Sequence, residues 1–239
     1  MDIAGSTALV TGANRGLGRE FARQLVERGA TVYAGARDIA SIDLPGVVPV
    51  RIDITDEASV RAAAELARDV TLLVNNAGVS TGTSLLDGDL ADVHREMDTH
   101  YFGTLAVVRA FAPQLTAHGG AVLNVLSALS WVSFPAAGAY SAAKSAEWSL
   151  TNALRQELAP SGVTVTALHV GYMDTDMARH VDGPKSSPAD VARLALDGVA
   201  AGAPEVLADE ISRQVQAGLA GGVPALYPQL SQLSQLSRA

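Results

Sequence analysis

Residues Thr7 to Gly29 read TALVTGANRGLGREFARQLVERG, and this stretch decides the fold. Thr7–Thr11 is short and apolar and runs into Gly12, the pattern of a buried strand. Leu17, Phe21 and Leu25 then recur at i, i+4 and i+8, on one face of a helix that Gly29 stops. Between strand and helix lies Thr11-Gly12-Ala13-Asn14-Arg15-Gly16-Leu17-Gly18. Gly12 permits a tight turn, Gly16 lets the backbone approach a pyrophosphate, and Gly18 lets the helix pack close to the strand. The helix N-terminus offers free N–H groups and the positive end of its dipole to that anion. A lone glycine cluster serves equally well as an ordinary strand-to-helix turn; its place between a strand and a helix favours a dinucleotide.

Outward from this unit, strands and helices alternate. Strands are predicted at Thr31–Ala36, Val48–Ile52, Leu72–Asn75, Ala121–Leu126, Val163–His169 and Glu205–Ala208. Helices are predicted over Asp56–Arg68 with Thr55 as N-cap, over Leu90–Leu115 in two abutting pieces, and over Ala139–Leu158. Ser187-Pro188-Ala189-Asp190 starts another, with a serine cap, proline at N1 and an acid at N3. Strands separated by helices imply parallel pairing through crossovers. The fold class is therefore α/β, a doubly wound parallel sheet of about seven strands with helices on both faces. No linker interrupts Met1–Ala208, so residues 1–239 are expected to form a single domain, with a tail at about 221–239 that carries a Leu-Ser-Gln repeat.

Composition narrows the function. The 239 residues are 48% apolar and 18% charged, enough for a sizeable core. A net charge of −8 would repel nucleic acid and anionic membrane, so neither is an expected partner. The absence of cysteine excludes a disulfide scaffold, a zinc-thiolate site and a thiol nucleophile, and it suits a cytoplasmic location. No metal site is expected. The first residues lack a basic, then apolar, leader pattern, and the longest uncharged stretch, Gly119–Ala143, is broken by Asn124, Pro135 and Gly138, so no membrane span or anchor is expected.

Further motifs follow in order: Asn75-Asn76-Ala77-Gly78 after the fourth strand, Ser127 after the fifth, and Tyr140-Ser141-Ala142-Ala143-Lys144 thirteen residues beyond that serine. Tyr140 and Lys144, at i and i+4, share a helix face. A phenol titrates near ~10 and is a poor base at neutral pH, but a nearby ammonium favours phenolate. With the G-x-x-x-G-x-G spacing of residues 12–18, the set resembles the classical short-chain dehydrogenase/reductase family over nearly the whole chain. The spacing differs from that of the extended epimerases, which disfavours epimerase or dehydratase chemistry.

The resemblance implies a Rossmann-type domain and NADPH-dependent reduction of a ketone or aldehyde, reversible as alcohol oxidation. Ser127 would bind the substrate oxygen, Tyr140 would supply the proton, and Lys144 would aid Tyr140 and hold the nicotinamide ribose. Contacts to the cofactor would come from Gly12, Asn14, Arg15, Gly16, Leu17, Gly18, Arg37, Asp53, Ile54, Asn75, Ala77, Gly78, Tyr140, Lys144, Gly171 and Thr175. NAD-preferring members end the second strand on an acid; here Ala36 is followed by Arg37, and Arg15 is a second basic residue, so NADP(H) is preferred over NAD(H). Asp38 as a ribose acid is the competing reading. Asp53 resembles the adenine-contacting residue but is equally a turn aspartate.

Two positions depart from the family. His100-Tyr101-Phe102-Gly103 stands where the family has N-x-x-G, whose asparagine helps hold a water linking the lysine to solvent. His100 is thus an additional candidate catalytic residue, with a titratable ring in place of an amide. A cofactor-binding regulatory or sensor protein with weak catalysis is the alternative that His100 raises. Val170-Gly171 replaces the usual Pro-Gly, which is expected to leave the backbone less fixed. The substrate loop is expected at about 172–187, with Trp131, Val132 and Phe134 as apolar walls for a largely apolar small-molecule carbonyl or alcohol. The helices Leu90–Leu115 and Ala139–Leu158 resemble the family's oligomer interface and imply a homodimer or homotetramer.

Overall fold

The computed structural model describes residues 1–230. Seven strands form one parallel sheet in the order β3-β2-β1-β4-β5-β6-β7. They are β1 (Thr7–Thr11), β2 (Thr31–Ala36), β3 (Val47–Arg51), β4 (Leu72–Asn75), β5 (Ala121–Val125), β6 (Thr164–His169) and β7 (Glu205–Leu207). The helices are α1 (Gly16–Glu27), α2 (Glu57–Leu66), α3 (Leu90–Met97), α4 (Thr104–His118), α5 (Gly138–Leu158), α6 (Pro188–Ala201), α7 (Glu210–Gly218) and α8 (Gly222–Leu226).

The central strands β1, β4 and β5 are mostly apolar and buried because both faces of the sheet are covered there. Ala8 and Val10 of β1 point to one face and pack with Phe21 and Leu25 of α1 and Val191, Leu196 and Val199 of α6. Leu9 points to the other, with Val60 of α2, Phe111 of α4 and Leu150 and Leu154 of α5. The period-2 alternation of one strand thus feeds two cores. Strand order reverses between β1 and β4, which opens a crevice beyond their C-terminal ends. Among the described residues, no helix is long and apolar enough to cross a membrane.

The sequence expectations need several corrections. Thr55 does not cap α2; Asp56 does, accepting from Ala58 N at 2.9 Å, while Thr55 Oγ1 donates to Asp53. Strand β3 starts and ends one residue early, and the other strands expected after β4 differ by one residue at one end. The predicted break within Leu90–Leu115 is a π-helical turn, Asp98–Gly103, whose extra residue rotates His100 into the interior. Helix α7 has no counterpart in the sequence reading, although Asp209 caps it at Ser212 N. The Leu-Ser-Gln repeat begins at the edge of the described residues and otherwise lies outside them.

Candidate active site

The glycine loop is built as the spacing requires. Gly12 and Gly16 adopt positive φ, +67° and +52°. Gly18 is helical, but a Cβ there would come 2.5 Å from Asn76 Nδ2 and 2.8 Å from the Gly12 carbonyl carbon. The loop is tied to β4: Asn76 Nδ2 donates to Thr11 O at 2.9 Å, and Thr11 Oγ1 accepts from Asn76 N and Ala77 N. Helix α1 begins without a side-chain cap, whereas α2, α3 and α6 are capped by Asp56, Asp89 and Ser187. Its first-turn N–H groups therefore lack the usual protein acceptor, and a pyrophosphate suits that cradle.

The other residues proposed to bind a cofactor differ in what they already do. Asn14 is half-buried in the loop, while Leu17 is buried in the core. Arg15, largely exposed, lies 3.6 Å from Asp176, and Arg37 is exposed with no ion pair among the described residues. Asp38 accepts from Ala40 N as a turn cap. Asp53 uses one oxygen to accept from Thr55 N and Oγ1, and Ile54 is buried. Asn75 points inward: its Nδ2 donates to Asn124 Oδ1 at 2.8 Å, tying β4 to β5. Thr175 lies over the glycine loop, with its Cγ2 3.3 Å from where a Cβ of Gly16 would be.

Gly171 is better fixed than the missing proline suggests. Its N–H donates to Asp209 Oδ2 at 2.6 Å, and Val170 O accepts from Ala128 N at 3.1 Å. The expectation of a looser backbone is corrected: the cap of α7 does the fixing.

Ser127 follows β5 and caps a short 3-10 turn, accepting from Leu129 N at 3.1 Å, so its O–H is free to donate elsewhere. Ser130 Oγ accepts from Ser127 N and holds it in place. Tyr140 and Lys144 lie on α5, with Lys144 Nζ 5.9 Å from the Tyr140 ring centroid. Burial pushes the Tyr140 phenol above its ordinary value. Lys144 draws it down, Glu147 pushes it back, and the neighbouring Ser127 hydroxyl lowers it. Burial works against a charged Lys144, but Glu147, Tyr140 and Glu96 together outweigh it and hold the ammonium above its usual range.

His100 is buried beneath this group. Its ring meets the Tyr140 ring edge-on at 5.3 Å, and Gly78 makes room for it, since a Cβ there would come 2.8 Å from the imidazole Cε1. Its Nε2 is 2.8 Å from Val79 O and 3.2 Å from Glu96 Oε2. It makes no hydrogen bond to Lys144 among the described residues; Lys144 Nζ donates to Val125 O at 2.7 Å and Glu147 Oε2 at 2.6 Å.

Glu96 and Glu147 are the site residues the motifs miss. Both are buried, and burial resists charge on Glu96, yet the His100 ring 3.2 Å away and hydrogen bonds from Thr81 hold its carboxyl below the usual range. The available signal was an acid four residues before His100 and another three after Lys144, each within a helix stripe that packs inward.

The expected substrate walls change as well. Trp131 stacks on His169 at 3.8 Å and stays half-exposed, Val132 belongs to internal packing, and Phe134 is 51% exposed. The loop Tyr172–Ser187 is pinned at its neck by the Met173–Ser186 bridge. Leu85, Leu86, Phe134, Tyr172 and Met177 are exposed on loops that follow β4, β5 and β6, at the sheet edge where the site lies.

A family model described as short chain dehydrogenase matches residues 6–185. An NADPH-dependent 1-acyldihydroxyacetone phosphate reductase of Schizosaccharomyces pombe is 36% identical over 176 residues, 70% of this chain and 60% of that protein. This chain therefore spans less than two thirds of that relative's length. A short chain dehydrogenase from Burkholderia cenocepacia J2315, solved in complex with NADP, matches at 42% identity and TM-score 0.92, covering 96% of this chain and 99% of that one. A short chain dehydrogenase/reductase from Burkholderia phymatum, solved with NAD, matches at 27% identity and TM-score 0.83, over 90% and 93% of the two chains.

Proposed function

This chain belongs to the short-chain dehydrogenase family, an oxidoreductase family that uses nicotinamide cofactors, and from that premise we propose that it reduces a ketone or aldehyde to an alcohol with NADPH, reversibly. The observation that carries the reading is the meeting of Ser127, Tyr140 and Lys144 at the sheet edge that also presents the uncapped start of α1. The nicotinamide, when bound, supplies the hydride.

The chain's own residues do the rest. Ser127 donates its free O–H to the substrate oxygen and polarises the carbonyl. Tyr140 donates the proton to that oxygen as negative charge develops there. Lys144 has three donors, of which Val125 O and Glu147 take two, and the third is left for the nicotinamide ribose. The first turn of α1 and the loop Gly12–Gly18 hold the pyrophosphate. Asn75 acts through the scaffold rather than by side-chain contact. Arg37 supports NADP(H) over NAD(H), because an exposed guanidinium free of internal ion pairs suits a 2′-phosphate. Arg15 joins it by giving up Asp176.

The substrate is a small, largely apolar carbonyl or alcohol, taken between the loop 172–187 and the apolar side chains at the same edge. Residues 1–239 act as one domain, as a homodimer or homotetramer through α3, α4 and α5, in the cytoplasm. A panel of ketones and aldehydes offered with NADPH and with NADH, followed by nicotinamide absorbance, tests the reading. Consumption of NADPH on a carbonyl supports it; tight NADPH binding with no turnover on any carbonyl favours a regulatory or sensor role.

A further inference from the structure

Glu147 has no place in the motif that marks this site, yet it makes the shortest contact to Lys144. It is 2% exposed. Its Oε2 accepts from Lys144 Nζ at 2.6 Å, its Oε1 accepts from Thr104 Oγ1 at 3.0 Å, and His100 Nδ1 lies 3.9 Å from Oε2. A buried carboxylate therefore sits against the ammonium that faces Tyr140.

We infer that Glu147 is a positioning residue that screens the Lys144 charge from Tyr140 and so keeps Tyr140 a neutral phenol, poised to give a proton rather than to take one. This rests on the reading of Tyr140 as the proton donor. A lone ammonium beside a phenol pulls its pKa down, because it stabilises the phenolate. An ammonium paired at hydrogen-bond distance acts as a dipole, whose field on a third group is much weaker. In a buried site, where charges are poorly screened, the difference is large. The groups facing Tyr140 are Lys144 and Glu147 from α5, Glu96 from α3, His100 from the π turn and Ser127 after β5. Both carboxylates raise the phenol, which Lys144 and Ser127 lower. Carbonyl reduction needs the phenol, present throughout the neutral range. Alcohol oxidation needs phenolate, which Glu147 defers to higher pH.

The test reads Tyr140 directly, in the cofactor-free chain and without substrate. Tyrosine labelled with 13C at Cζ gives one resonance for each of the five tyrosines, and the one lost in Tyr140→Phe is assigned to Tyr140. Its phenolate-to-phenol ratio is followed with pH in the wild type, Glu147→Gln, Lys144→Met and the double variant. Glu147→Gln should raise that ratio at least about tenfold at fixed alkaline pH, Lys144→Met should lower it, and the double variant should lie above Lys144→Met. If Glu147→Gln does not fold, Lys144→Met against the double variant isolates the same carboxylate. A ratio unchanged or lowered by removing Glu147 overturns the inference, because a purely structural carboxylate would leave the phenol where it is. Turnover is a separate outcome. The expected order in a chain that reduces no carbonyl defeats the reductase reading alone, and turnover with a Tyr140 indifferent to Glu147 defeats this inference alone.

Discussion

Replacing Gly18 by alanine pits two physical effects of opposite sign against each other. Gly18 lies in α1, where alanine is the better helix former by about 1 kcal/mol, so propensity alone predicts a more stable protein. The geometry predicts the reverse. Ordinary contacts begin near 3.4 Å, so a Cβ at 2.5 Å from Asn76 Nδ2 and 2.8 Å from the Gly12 carbonyl carbon requires a shift of about 0.9 Å and about 0.6 Å respectively. Moving Asn76 weakens its hydrogen bonds to Thr11 O and Gly12 O, for about 1 kcal/mol. Overpacking against backbone adds about 1–3 kcal/mol. The net loss is about 1–3 kcal/mol, or a drop in melting temperature of roughly 3–10 °C for a chain of this size. Calorimetric melting reads it, and isothermal titration with NADPH should show weakened binding, because the same shift opens the α1 cradle. A Gly18→Ala variant that melts at or above the wild-type temperature would refute the close approach of helix and strand on which the cofactor reading stands.

Three further outcomes follow from named contacts. Arg37→Ala should weaken NADPH binding by about 1.5–3 kcal/mol and leave NADH binding nearly unchanged, measured by titration calorimetry; equal losses would remove the phosphate assignment. Burial lowers the His169 pKa from 6.5 to about 4, so the unfolded chain takes up a proton before the folded one does. Stability present above pH 6.5 should fall toward pH 4 by up to about 3 kcal/mol, and His169→Asn should flatten that slope in denaturant titrations. His100→Asn should destabilise the fold by about 1–3 kcal/mol, because buried Glu96 keeps its bonds from Thr81 but loses the ring beside its other oxygen, and Glu96→Gln in the same chain should recover part of it; a His100→Asn variant as stable as the wild type would show that the contact contributes nothing.

The sequence is most legible where one local rule suffices. Strands β1, β2 and β4 are short apolar runs closed by glycine, arginine or asparagine, and their ends coincide with the structure. Ser187 and Pro188 announce α6 because a cap and a fixed φ are properties of two residues. Legibility fails where two residues compete for one role. Thr55 and Asp56 can both cap α2, and Asp53 decides the matter by taking Thr55. In the site, the motif residues mark the reacting face because their spacing is local. Glu147 and Glu96 escape because their meaning lies in partners on other elements: Thr104 for one, Thr81 in a loop for the other. The stack of Trp131 on His169 escapes for the same reason, since it joins two elements far apart in the chain.

In the proposed nicotinamide-dependent carbonyl reduction, Tyr140 gives the proton. Tyr140→Phe tests it most directly, because the ring is kept and only the O–H is lost. NADPH affinity by titration and carbonyl reduction by nicotinamide absorbance are measured on the same preparations. Near wild-type NADPH binding with reduction largely abolished is the expected result. Wild-type turnover in the Tyr140→Phe variant would contradict it.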